Sequence, residues 1–161
     1  MGILICKYCK NIYHKENFNE FHCPNAACYN NELIEIDENI YDIILKFLRL
    51  GLTPIYSCEG HLYEYIFDPY IRFKFHYEPF FVWFHNIFLT LCNNYEKYSF
   101  ITGIYEKMID DEDCIIFDIN IHINDEERKE LPIIDKIMYK YNFILFLYHL
   151  YDEIERLKEG E

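Results

Sequence analysis

Four cysteines near the start of the chain restrict its fold more than any other feature. Cys6 and Cys9 flank Lys7-Tyr8, and after an interval of 13 residues Cys23 and Cys28 flank Pro24-Asn25-Ala26-Ala27. Two closely spaced thiol pairs about a dozen residues apart suit a tetrahedral thiolate site, because each pair can form a tight knuckle and a hairpin can join the two. The pattern predicts one structural Zn²⁺ on Cys6, Cys9, Cys23 and Cys28, with four soft donors and no open position. The second knuckle is wider than the commonest spacing, and His14 or His22 is an alternative donor. Residues 1–33 are therefore expected to be a zinc-ribbon head that folds around metal and does no chemistry. Residues 34–161 follow as a body, with no repeat or low-complexity linker between them.

The body reads as α+β, a mostly antiparallel sheet of about four strands packed by helices. Asp37 is placed to cap a helix whose Ile40, Ile43, Ile44, Phe47 and Leu48 share one face, and Gly51 stands where a C-terminal glycine belongs. A short strand over 52–57 leads into the turn Cys58-Glu59-Gly60-His61. Residues 69–76 alternate, with Ile71, Phe73 and Phe75 on one side and Arg72, Lys74 and His76 on the other. Pro79 suits the first turn of a second helix, and a strand is expected over 99–105. An acidic turn at Asp110–Asp113 precedes the best alternating run, Ile115 to Ile123, which sets Asp118, Asn120 and His122 on the opposite side. The remainder to about Lys158 is helical, with breaks expected at Pro132 and at Tyr141-Asn142.

Charge narrows the partners. The net charge is −13, yet residues 1–33 are neutral and residues 106–161 hold 16 acids against 7 bases. Such a surface repels phosphate backbones and attracts basic proteins, so no long nucleic acid is expected as a ligand. The longest uncharged run, Pro79–Tyr95, carries His85, Asn86, Asn93 and Asn94 and reads as a buried helix rather than a membrane span. Seven cysteines behind an N-terminus that lacks an export signal point to metal binding in a reducing cytoplasm rather than to disulfides.

The turn at 58–61 carries the most chemistry. A glycine permits positive φ, and a thiol and an imidazole three residues apart can form a nucleophile pair with Glu59 orienting the ring. The same residues can hold a second metal, present N–H groups to an anion, or simply make a tight turn. If the strands of Arg72 and Asp118 are neighbours, their polar faces form a charge ladder. Arg72 and Lys74, with His76, then suit a phosphate or carboxylate of a nucleotide-like ligand in a pocket beside Cys58, Glu59, Gly60 and His61. No Walker loop, dinucleotide fingerprint or nucleophile-elbow motif occurs.

The order of features resembles a group of small uncharacterised proteins of phages and low-GC Gram-positive bacteria. It comprises the four-cysteine head, Ile36-Asp37-Glu38, the segment Leu50-Gly51-Leu52-Thr53-Pro54-Ile55-Tyr56-Ser57-Cys58-Glu59-Gly60-His61, and Pro69-Tyr70-Ile71-Arg72-Phe73. The likeness covers residues 1–75 well and the rest in outline. More distantly, the helix, strand and Ser-Cys-x-Gly turn are similar to the wybutosine-synthesis methyltransferase family, in which Ser-Gly-Arg follows the cysteine where this chain has Glu59-Gly60-His61. The resemblance implies a phage-type context and a ligand-facing turn. The expected function is a non-catalytic zinc-containing binding protein, such as a phage-encoded anti-defence inhibitor that captures a host protein or a nucleotide-type ligand. The alternatives are a nucleotide- or RNA-modifying enzyme using Cys58 and His61, and a zinc-ribbon accessory protein for nucleic acids.

Overall fold

The computed structural model describes residues 2–6, 11–14, 23–25, 33–63, 67–108 and 113–160. Two antiparallel sheets and a set of helices make an α+β fold. The small N-terminal sheet has the order β2-β1-β3, from β1 (Gly2–Cys6), β2 (Ile12–His14) and β3 (Leu33–Asp37). Ile5 of β1 and Ile36 of β3 are fully buried and join the same apolar core as the rest of the chain. Cys9, Cys28 and His22, together with Asp110, Asp111 and Glu112 of the acidic turn, lie outside the described residues.

The larger sheet runs β4-β5-β7-β6, from β4 (Pro54–Cys58), β5 (Tyr70–Phe75), β6 (Ile101–Met108) and β7 (Cys114–Ile121). Alternation works as the sequence suggests. Ile71, Phe73 and Phe75 of β5 and Ile115, Phe117, Ile119 and Ile121 of β7 are buried, and Phe73 sits opposite Phe117. The helices cover that face: α1 (Tyr41–Arg49), α2 (Glu78–Asn94) and α4 (Ile133–Glu159), with the short α3 (Asp125–Glu130) preceding α4. Edge-to-face aromatic pairs join the layers, with Phe47 of α1 5.3 Å from Phe73 and Phe88 of α2 5.2 Å from Phe117.

Helix α1 ends as expected. Gly51 has φ +87°, the Gly51 N–H donates to Leu48 and the Leu52 N–H to Phe47, which satisfies the last carbonyls while Leu52 buries. From the far end of the chain, Lys158 Nζ donates to the Leu50 carbonyl at 2.7 Å.

Two expectations need correction. Asp37 occupies the cap position, but its side chain makes no capping bond, and a 3-10 turn (Glu38–Ile40) leads into α1. Pro132 does divide α3 from α4, whereas α4 continues unbroken through Tyr141-Asn142. Its buried Phe143, Phe146, Leu147, Leu150 and Ile154 keep helical spacing, so tertiary packing outweighs the weak local propensity there. Among the described residues, no helix is long and apolar enough to cross a membrane.

Candidate metal centre at the Cys58–His61 turn

Strand β4 delivers Cys58 to one end of the large sheet, and the chain then reverses at Gly60, whose φ is +84°. That residue must be glycine for a second reason, since a Cβ there would lie 2.5 Å from Cε2 of the fully buried Phe67. The reversal brings His61 back towards the end of β3. There the Asp37 carboxylate accepts the Glu59 N–H at 3.0 Å and lies 3.4 Å from His61 Nε2. Freed from capping its own helix, Asp37 instead closes a turn 22 residues away.

Donor atoms of Asp37, Cys58 and His61 all lie within 4.8 Å of one another, each on a half-buried residue. Ligands about 2.0–2.3 Å from a tetrahedral zinc stand about 3.3–3.7 Å apart, so the Asp37–His61 separation already matches and Cys58 needs only a small approach. One oxygen, one sulfur and one nitrogen make a donor set that zinc accepts, and the Glu59 N–H supplies an outer hydrogen bond to the carboxylate ligand.

Glu59 does not orient the His61 ring. Its side chain is buried, and its carboxylate lies 3.2 Å from Lys140 Nζ of α4, off the hydrogen-bonding direction. One helical turn earlier, the buried Lys136 donates to the Leu62 carbonyl at 3.2 Å. Two lysines spaced i, i+4 thus hold both ends of the turn onto α4. The sequence offered a signal for them: cations on the same helix stripe as the buried Phe143. Nothing comparable marked Asp37.

Directly paired residues face the same way in an antiparallel sheet. Cys58, Tyr70, Asn120 and Thr102 therefore form one row across the outer face, and Tyr56, Arg72, Asp118 and Ile104 form the next. Burial raises the Tyr70 hydroxyl pKa, and the neighbouring Cys58 adds to the rise. Of the charge ladder expected from the alternation, one charged rung forms, Arg72 opposite Asp118, whereas Lys74 stands opposite Ile116 and Asn120 opposite Tyr70. Arg72 donates to Asp118 from Nε at 2.5 Å and from Nη2 at 3.2 Å, which raises the guanidinium pKa further, and it lies over the Tyr56 ring.

Arg72 and Lys74 do not share a cavity. Arg72 lines a polar groove of about 560 Å³ on the outer face, together with Asp118, Asp68, His122 and Arg128. Arg128 is itself engaged by Asp68 at 3.0 Å, so each arginine of the groove already faces a carboxylate. Lys74 and His76 line a different cavity at the far end of β5.

In the head, Cys6 and Cys23 are both buried and form a small cluster with Tyr13 and Leu33, in which the Tyr13 hydroxyl is 3.5 Å from Cys23 Sγ. No protein-family model, curated protein or solved structure matches the chain.

Proposed function

We propose that this chain is a non-catalytic, zinc-containing binding protein. One structural Zn²⁺ on Cys6, Cys9, Cys23 and Cys28 folds the head as a ribbon. The acidic body engages a host protein that has a basic surface, or a nucleotide-type ligand, as a phage-encoded anti-defence inhibitor would. The observation that carries the zinc is the burial of Cys6 with Cys23 in a cluster separate from the main core. So small a cluster gains little from apolar burial, and a metal supplies what it lacks. The Tyr13 hydroxyl beside Cys23 Sγ suits an outer-shell bond to a thiolate. Native mass spectrometry of protein purified without chelator tests this reading. One bound zinc, lost in Cys9→Ser and in Cys28→Ser, is the expected result; a zinc-free protein overturns it.

A second reading, an enzyme acting on nucleotides or RNA, is favoured by the closeness of Asp37, Cys58 and His61. Three protein donors leave a fourth position for water or substrate, the arrangement of catalytic rather than structural zinc. It requires a second zinc that His61→Ala removes while the first remains. A zinc count unaffected by that substitution refutes it. An accessory role on nucleic acid has only the cysteine pattern in its favour, and the acidic body opposes it.

A further inference from the structure

We infer that one divalent metal ion held by Asp37, Cys58 and His61 clasps the small N-terminal sheet to the large one, so that its binding sets how firmly β3 stays on the body. The inference takes its donor cluster from the second reading above and needs no turnover. The three donors come from different parts of the fold. Asp37 is the last residue of β3, in the sheet β2-β1-β3. Cys58 ends β4, in the sheet β4-β5-β7-β6, and His61 follows it across the turn. A metal bound by all three is therefore a cross-link between the two sheets. It also closes the loop from Asp37 to Cys58, which contains the whole of α1.

The small sheet has a use for such a link. Its strands are three to five residues long, too short to hold a sheet by themselves. β3 lies along β1 with Asp37 opposite Gly2 and Leu33 opposite Cys6, and the buried Ile36 and Ile5 anchor the pair in the main core. Asp37 carries the anchorage at the end of the strand, where its carboxylate accepts the Glu59 N–H at 3.0 Å and lies 3.4 Å from His61 Nε2. Two carboxylate oxygens have lone pairs for a metal as well as for that N–H, so ligation keeps the existing bond. The His61 side chain is 40% exposed and that of Asp37 20%, so an ion reaches the site from solvent without the fold opening. At this exposure the Asp37–His61 pair alone contributes little. A metal adds Cys58 to the pair, and its binding free energy becomes stability of the contact between the sheets.

The test titrates Co²⁺ into the full chain carrying at most one zinc, and into His61→Ala and Asp37→Asn. Asparagine is chosen because its side-chain oxygen still accepts the Glu59 N–H. Thiolate-to-cobalt absorption reads binding, and amide hydrogen exchange of β3 is followed in the same samples. The wild-type chain should take one Co²⁺ more than His61→Ala, and Asp37→Asn should bind it at least about tenfold more weakly. With free Co²⁺ at about a hundred times its dissociation constant, openings that lift β3 from β4 become about a hundredfold rarer. Exchange of the β3 amides should slow by up to that factor in the wild type and not in His61→Ala. Equal cobalt binding by wild type and His61→Ala overturns the inference together with the second reading. Unaltered affinity in Asp37→Asn takes β3 out of the site and overturns the clasp. A His61-dependent cobalt that leaves β3 exchange unchanged overturns the clasp alone and leaves the second reading standing. The zinc of the head is judged separately, by its loss in Cys9→Ser and Cys28→Ser.

Discussion

Replacing Gly60 by alanine tests whether the Cys58–His61 turn is built as described. Two costs add at this position. The backbone sits at φ +84°, where a non-glycine residue loses about 1–2 kcal/mol. The new Cβ would also stand 2.5 Å from Cε2 and 3.0 Å from Cζ of Phe67, a fully buried ring with little freedom to withdraw, and overpacking of this kind costs about 1–3 kcal/mol. Gly51 is the internal control, because its φ is +87° but nothing lies within 4 Å of an added Cβ. Gly60→Ala should therefore lose about 1–3 kcal/mol more than Gly51→Ala in urea unfolding at unchanged m-value, equivalent to several degrees of melting temperature. Phe67→Leu in the Gly60→Ala background should recover part of that difference, giving a coupling that a double-mutant cycle measures. Equal losses at the two glycines, or no coupling to Phe67, would refute the packing of the turn against that ring.

Lys140 is half-buried and Glu59 buried, so Lys140→Met leaves the Glu59 carboxylate without its cation and should destabilise by about 1–3 kcal/mol in chemical denaturation, and Glu59→Gln in the same chain should restore about half of this or more. Tyr98 is fully buried and its hydroxyl lies 2.7 Å from His149 Nδ1; Tyr98→Phe, which leaves that nitrogen unmatched, should cost about 1–3 kcal/mol by the same assay. The alkaline limb of stability follows from raised pKa values. Burial pushes the Cys92 thiol from an ordinary 9.0 up to about 11, and the Tyr98 and Tyr148 hydroxyls from 10.0 up to about 12. The unfolded chain loses these protons first, so their contribution is complete below about pH 9 and falls away towards pH 12; a melting-temperature profile should show that decline, with its onset later in Cys92→Ala. On the acid side, burial lowers the pKa of His85, which stacks on Phe81, so stability should also fall as pH drops below 6.5, and His85→Phe should remove that component.

The elements that were legible in the sequence are those whose cause is local. The alternation of β5 and β7 appears in a few consecutive residues, as does the apolar stripe of α1, and Gly51 and Gly60 adopt the backbone that only glycine takes freely. Even the Arg72–Asp118 pairing could be stated in advance as a condition, because two alternating strands that become neighbours must align their polar faces. The break expected at Tyr141-Asn142 failed for the opposite reason: local propensity pointed one way and the buried stripe from Phe143 to Ile154 pointed the other.

The site itself depended on contacts between distant segments. Asp37 has the sequence context of a helix cap, and only the approach of β3 to the end of β4 turns its carboxylate towards Glu59 and His61. Likewise, Arg72 and Lys74 are two residues apart on one strand face, yet the groove of Asp118 takes one and the cavity of Lys158 takes the other. By itself the sequence determined the alternating strands, the apolar stripe of α1, the polar and apolar faces and the inventory of metal-ligating side chains, since these follow from spacing along the chain. Tertiary structure alone decided which carboxylate meets His61 and which carboxylates meet Arg72 and Arg128, because an electrostatic partner is chosen by distance in space.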